Sequence, residues 1–300
     1  MVHSSTTHGQ TTAESFDWNS EQIASLVKQS LAEDIGPGDV TTQATVPENA
    51  QGQARVLARE ALVCAGLPLA EKVFLSLDPQ MRIELLLADG QRASSGQELF
   101  RLQGRARAIL TGERTALNFL AHLSGIATLT AAFVGKLAGT KARIRDTRKT
   151  TPLLRALEKY AVRMGGGVNH RIGLYDAILL KENHIALAGG VHRAVEKARA
   201  SSSSLSIQVE VRNAAELGQA LAAGADSVLL DNMPVDAASL CVSLARELRP
   251  QCIVEISGGI NLTNARAYAL TGADFLSSGM LTHSAPAANL SLLVENVSAG

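Results

Sequence analysis

Between residues 141 and 181 the chain carries ten Lys and Arg against three acids, Asp146, Glu158 and Asp176, while over its 300 residues 28 Lys+Arg and 28 Asp+Glu cancel. Cation gathered locally in a neutral chain suits a small polyanion. A nucleic-acid surface would spread positive charge over a domain and add aromatics for stacking, but the sequence pI is about 7.1 and aromatics are 3%. Within the segment lie Asp146-Thr147-Arg148-Lys149-Thr150, then Gly165-Gly166-Gly167-Val168-Asn169-His170-Arg171, then an apolar run closed by Lys181-Glu182-Asn183-His184. His170, beside Arg171 in a glycine-rich loop, reads as a substrate contact, and His184 as a structural hydrogen bond. Farther on, Glu210 and Asp231 end neighbouring apolar runs. They could ligate Mg²⁺ directly or through water, or support developing positive charge, and either could instead pair with Lys149 or Lys181. Ser257-Gly258-Gly259 and Ser277-Ser278-Gly279 close the last two runs, where backbone N–H groups opening a helix would hold a phosphate. The triple glycine lacks the G-x-G-x-x-G pattern of a dinucleotide site, and no H-E-x-x-H spacing occurs.

These residues need strands to present them. Short apolar runs at 143–145, 177–180, 207–211, 227–230, 253–256 and 275–277 alternate with helix candidates at 190–200, 214–223, 237–248 and 262–270, with Gly224 and Gly272 as stops. Such repetition predicts a parallel sheet. Every run ends in a charged or small polar residue, so all would converge on one face. A site built from many strand ends favours a barrel over a doubly wound sheet, whose ligands sit at one switch point. Before this region the pattern differs. A helix over 18–32 with Ser20 as N-cap is followed by strands at 54–59, 81–87 and 98–104, then by a long helix over 111–137 with an interruption expected near Ser124-Gly125.

Composition sets the frame. Hydrophobic residues make up 46% of the chain, enough for a sizeable core in one large domain or two ordinary ones. Residues 1–15, rich in Ser, Thr, Gln and His, read as a disordered leader, and no later run reaches the roughly 18 uninterrupted apolar residues of a membrane span. Cys64, Cys241 and Cys252 show no C-x-x-C spacing; inert buried thiols and a cytoplasmic location are expected.

With these residues placed, the chain resembles quinolinate phosphoribosyltransferase, also called nicotinate-nucleotide pyrophosphorylase (carboxylating). The resemblance rests on ordered blocks. They include Ala32-Glu33-Asp34-Ile35-Gly36, Gly38-Asp39-Val40-Thr41-Thr42, Leu110-Thr111-Gly112-Glu113-Arg114-Thr115-Ala116-Leu117-Asn118-Phe119-Leu120, the basic segment, Leu229-Leu230-Asp231-Asn232-Met233, Glu255-Ile256-Ser257-Gly258-Gly259-Ile260 and Ser278-Gly279-Met280-Leu281-Thr282-His283. It implies an α/β fold: an N-terminal α/β sandwich over residues 16–116, to which 285–300 return, beside an incomplete, seven-stranded βα barrel of TIM type over 117–284. The implied reaction moves phosphoribosyl from phosphoribosyl pyrophosphate to quinolinate with loss of CO₂, giving nicotinate mononucleotide and pyrophosphate for NAD biosynthesis. By the same resemblance Arg148, His170, Arg171 and Lys181 hold quinolinate, with Arg114 supplied by a neighbouring subunit of a homodimer or larger homo-oligomer. Lys149, Glu210 and Asp231 surround the ribose and Mg²⁺-pyrophosphate as the catalytic group, and Ser257, Gly258, Gly259, Ser278 and Gly279 take the 5′-phosphate. Three positions depart from the family pattern: Thr151 stands where leucine is usual, Leu153 where glycine is usual, and Tyr175 where a small residue is commoner. Two rival readings remain. One is a paralogue of the same fold with another acceptor, which should lack some of the four cations present here. The other is a non-catalytic nucleotide- or anion-binding barrel, against which Glu210 and Asp231 count.

Overall fold

Alternating burial along residues 51–58 and a four-residue spacing of Ile23, Val27 and Leu31 make the first third of the chain half strand, half helix, each with one face to a shared core. The computed structural model describes residues 16–201 and 204–298; the expected leader at 1–15 lies outside them. In chain order the first elements are α1 (Glu21–Ile35), α2 (Val40–Thr45), β1 (Gln51–Ala58), β2 (Leu62–Val63), α3 (Leu67–Leu77), β3 (Arg82–Leu85), β4 (Arg92–Ala93), β5 (Glu98–Arg105) and α4 (Ala106–Leu137). Ser20 holds the N-cap position of α1 without a side-chain bond.

The second part alternates strand and helix: β6 (Arg143–Arg145), α5 (Arg155–Met164), β7 (Ile178–Leu180), α6 (Glu182–Ala188), α7 (Val191–Ser201), β8 (Ile207–Val211), α8 (Ala214–Ala222), β9 (Ser227–Asp231), α9 (Val235–Leu248), β10 (Ile253–Ser257), α10 (Ala265–Ala269), β11 (Phe275–Ser277) and α11 (Met280–His283). The last strand, β12 (Leu290–Ser298), leaves this region and pairs antiparallel with β1, so the first sheet has the order β12-β1-β5-β3. The parallel sheet has the order β6-β11-β10-β9-β8-β7. On the free side of β6, Val168 forms a single parallel bridge to Arg145. Six strands and a one-residue seventh therefore line the barrel, and among the described residues Val168 and β7 do not pair, which leaves it incomplete.

The expected interruption in the long helix is absent. Helix α4 runs unbroken for 32 residues, because Ser124 and Gly125 serve neighbours and do not break it. Ser124 Oγ accepts from Ala65 N–H at 3.1 Å, and a Cβ on Gly125 would lie 2.0 Å from the Pro286 carbonyl oxygen. Its length and composition alone would allow a membrane crossing. In the fold it packs against α3 and α5, and its Ile109, Leu120, Leu123, Ile126 and Phe133 are core residues. The three cysteines are free and buried, and burial pushes the Cys64 thiol up to about 12.

Candidate active site

The carboxyl ends of all six parallel strands open on one cleft of about 680 Å³. Arg148 and Lys149 reach it from the loop after β6, Lys181 from the end of β7, Glu210 from β8, Asp231 from β9, Ser257, Gly258 and Gly259 from β10, and Ser278 and Gly279 from β11. His170 and Arg171 join from the loop before β7. The structure thus brings together every expected site residue except Arg114, which is exposed on α4 and lines no part of the cleft.

The cations divide by partner. Arg148 Nε and Arg171 Nε are buried and have no hydrogen-bond partner among the described residues, while Arg171 Nη1 donates to the Ala177 carbonyl at 3.0 Å. Burial, and then the charge of Arg148, hold the Arg171 guanidinium below its ordinary value. Desolvated, mutually repelling donors of this kind are stabilised by an anion carrying two acceptor groups. Lys181 instead bonds Glu210 Oε2 at 2.7 Å, the ion-pair alternative open in the sequence. Lys149 lies along Gly279: a Cβ there would meet Lys149 Cδ at 2.9 Å and the His283 ring at 3.0 Å. Thr282 fixes this loop by donating to the Lys149 carbonyl at 2.7 Å.

The glycine turn after β10 forms a cradle of backbone donors. Gly258 and Gly259 have φ of 98° and 64°, and a Cβ on Gly258 would lie 2.2 Å from Asn232 Oδ1, so only glycine fits. The N–H groups of Gly258, Gly259 and Ile260 have no acceptor among the described residues and border the cleft, an arrangement that suits a phosphate. Two details correct the sequence reading. The following helix, α10, starts only at Ala265, so no helix N-terminus stands directly behind this turn. Ser278 is buried, its hydroxyl donating to the Ile260 carbonyl at 2.7 Å and its N–H to that of Arg145 at 3.0 Å; it supports the cradle from beneath.

Below the cleft lie two polar networks that the sequence reading missed. Lys159, from α5, is buried with Asp146: Nζ bonds Asp146 Oδ1 at 2.5 Å and the His170 carbonyl at 3.0 Å. Asn169 Nδ2 and the His170 N–H donate to the same carboxylate. Burial pulls the Lys159 ammonium down and pushes Asp146 up, each opposed by the other's charge. The pair ties the segment leading to Arg148 to the segment bearing Arg171. The second network is Arg145, Glu255, Gln208 and His170. Arg145 Nη1 and Gln208 Nε2 donate to Glu255 Oε2 at 2.8 and 2.9 Å, and the Arg145 guanidinium stacks on Phe275 at 3.6 Å. Burial alone would raise the Glu255 carboxyl, but Arg145 foremost, with His170, Gln208 and Ser277, holds it below its ordinary value. The signal was legible: Glu255 is the one charge inside the apolar run of β10. His184 fulfils its structural reading, its Nδ1 accepting from the Lys181 N–H at 3.0 Å.

Comparison with known proteins points to one family. Residues 39–124 match the model of the quinolinate phosphoribosyl transferase N-terminal domain, and residues 126–293 that of its C-terminal domain. The chain is 47% identical over 265 residues to a nicotinate-nucleotide pyrophosphorylase [carboxylating] of Mycobacterium leprae, covering 86% of this chain and 92% of that one. It is 42% identical over 276 residues to a probable enzyme of the same name from Bacillus subtilis, covering 91% and 94%. Among solved structures, the nicotinate-nucleotide pyrophosphorylase of Francisella tularensis superposes with a TM-score of 0.88 at 44% identity, covering 91% of this chain and 96% of that one.

Proposed function

The chain belongs to the quinolinate phosphoribosyltransferase family, and from that premise we propose that it transfers phosphoribosyl from phosphoribosyl pyrophosphate to quinolinate, releasing pyrophosphate and CO₂ and forming nicotinate mononucleotide. The observation that carries this reading is the convergence of Arg148 and Arg171 on the cleft, each with a buried Nε that has no hydrogen-bond partner among the described residues. The two carboxylates of quinolinate can answer two guanidinium groups, with Lys181 and Lys149 lining the same cleft. The glycine cradle after β10 is assigned the 5′-phosphate.

The ring nitrogen of quinolinate attacks C1 of the ribose as the bond from C1 to the pyrophosphate oxygen breaks. Positive charge develops on the ribose, and Glu210 or Asp231, both lining the cleft, is placed to stabilise it. The nitrogen, now cationic, accepts the influence of the electron pair left at C2 when the C2–carboxylate bond breaks, and C2 then takes a proton. Glu210 Oε1 and Asp231 Oδ1 make no hydrogen bond among the described residues. Two carboxylate oxygens suit Mg²⁺ that arrives on the pyrophosphate, and no cluster of three or more His, Cys, Asp or Glu capable of holding a metal alone occurs among the described residues. Bound there, the ion would neutralise the leaving pyrophosphate. We assign Arg114, exposed and without a bonding partner among the described residues, to the cleft of a second copy in a homodimer or larger assembly, and the protein to the cytoplasm, where its free thiols would stay reduced.

The test is to supply quinolinate, phosphoribosyl pyrophosphate and Mg²⁺ and follow CO₂ and nicotinate mononucleotide together, with nicotinate as control acceptor. Equal amounts of both products, absent with nicotinate, are expected; folded protein that makes neither would refute the assignment. For the shared site, mixing inactive Arg114→Ala and Lys181→Ala subunits should restore activity in hybrids, and none should return if each cleft is self-sufficient.

A further inference from the structure

Every polar atom of His170 is engaged by the protein. Its N–H donates to Asp146 Oδ1 at 2.8 Å and its carbonyl accepts from Lys159 Nζ at 3.0 Å. Its Nδ1 accepts from the Arg171 N–H at 2.8 Å. An imidazole nitrogen that accepts a backbone N–H carries no proton, so the ring proton sits on Nε2 and is donated to Gln208 Oε1 at 3.1 Å. The Gln208 amide cannot turn over freely, because its Nε2 is held by Glu255 Oε2, itself anchored by Arg145. Glu255 Oε1, fully buried and without a hydrogen-bond partner among the described residues, lies 3.7 Å from His170 Nε2; a carboxylate oxygen there repels a lone pair on Nε2 and favours a proton.

Resting on the proposed activity for its kinetic consequence, we propose that Gln208 and Glu255 are positioning residues: with Arg145 behind them they hold His170 as the neutral tautomer protonated on Nε2, and through its Nδ1 they fix the backbone that presents Arg171 to the quinolinate carboxylates. Neither residue needs to touch substrate for this. Gln208 is nearly buried and does not line the cleft, and Glu255 lies on its floor. The direction of control is set by chemistry. If the Nε2 proton moved to Nδ1, the Arg171 N–H would face another N–H, and the loop carrying the guanidinium would have to shift. Quinolinate binding should then suffer while the phosphoribosyl pyrophosphate end, built on β10 and β11, should not.

The test uses the full chain labelled with ¹⁵N-histidine, with His170 assigned by its loss in His170→Asn. Wild type without substrate should show the long-range ¹H–¹⁵N pattern of a neutral imidazole protonated on Nε2; an Nδ1-protonated or doubly protonated ring would overturn the proposal whether or not the protein turns over quinolinate. In Gln208→Met, which keeps length and removes both hydrogen bonds, a mixed tautomer is expected, with quinolinate KM raised roughly tenfold and phosphoribosyl pyrophosphate KM changed less than about twofold. Glu255→Gln, close in shape, should shift the same signals and serves if Gln208→Met does not fold. An unchanged tautomer with unchanged quinolinate KM, or a loss confined to kcat, would overturn the assignment. Absence of turnover by wild type with the expected tautomer present would instead sink the activity reading alone.

Discussion

The two ends of the parallel sheet treat charge in opposite ways. At the amino ends, Asp226 before β9 accepts the Ile207 N–H at 2.8 Å and pairs with Arg199 at 2.7 Å. Asp274 before β11 accepts the Val254 N–H at 2.8 Å and pairs with Arg246 at 2.7 Å and Lys141 at 3.1 Å. The triplet is the same both times, Gly224-Ala225-Asp226 and Gly272-Ala273-Asp274. At the carboxyl ends, Arg148 and Arg171 line the cleft, and their buried Nε atoms have no hydrogen-bond partner among the described residues. Backbone strain follows the same division: the two non-glycine residues with positive φ among those described, Leu153 at 66° and Asn232 at 53°, both lie in loops at this end. One end is electrostatically complete and holds the sheet together. The other is left incomplete, and a ligand completes it.

The contrast predicts that substitutions at the two ends separate stability from turnover. The largest stability loss should come where the incomplete end rests on its buried support. Lys159→Met leaves Asp146 charged and unpaired, and denaturant melts should show about 3–5 kcal/mol lost; a loss within the range of a surface substitution would mean the pair is not the strut described. Next, Arg171→Ala should lower kcat/KM for quinolinate about a hundredfold, since a charge-assisted contact to a carboxylate is removed. Its melting temperature should change little, because relief of the repulsion from Arg148 is offset by loss of the Arg171 Nη1 bond to the Ala177 carbonyl at 3.0 Å. At the complete end, Asp274→Asn should cost about 1–2 kcal/mol and leave kcat/KM unchanged. Burial alone would raise the Asp274 carboxyl, but the Arg246 and backbone hydrogen bonds outweigh it and hold it below 3.8. A depressed folded-state value means that its contribution is whole above about pH 4 and fades as pH falls through the folded value. The stability gap between wild type and Asp274→Asn should therefore narrow on acidification, and a gap that widened would refute the sign. The smallest effect should be a gain: Leu153→Gly relieves a left-handed leucine that is 90% exposed, worth under about 1 kcal/mol once the freer unfolded chain is counted.

This division also explains what could be read from the residues alone. The six strand runs were legible because buried parallel strands are short, continuous and apolar, and the polar residue closing each one marks its carboxyl end. Helix α5 carries an apolar stripe of Leu157, Tyr160, Ala161 and Met164 at helical spacing, but the burial of Glu158 and Lys159 beside it has no signature in a segment that reads as basic throughout. Lys159, counted as one more cation of a basic segment, is spent on Asp146 and unavailable to a ligand. Gln208 was hidden likewise, since a buried amide in a strand reads as an outward residue until its partners are known. Leu153 could be suspected from a glycine-preferring position, and its positive φ agrees with that preference. Arg114 lines no part of the cleft of its own chain, so the geometry of a single chain gives its proposed role no signature.

The most direct test of the incomplete carboxyl end is calorimetric binding of quinolinate and of nicotinate to the wild-type protein, with Arg148→Ala as reference. If the unpartnered guanidinium donors await two carboxylates, quinolinate should bind at least about tenfold more tightly than nicotinate, and the preference should collapse in the variant. Equal affinity for the two acids in wild type, or a preference that survives Arg148→Ala intact, would contradict it.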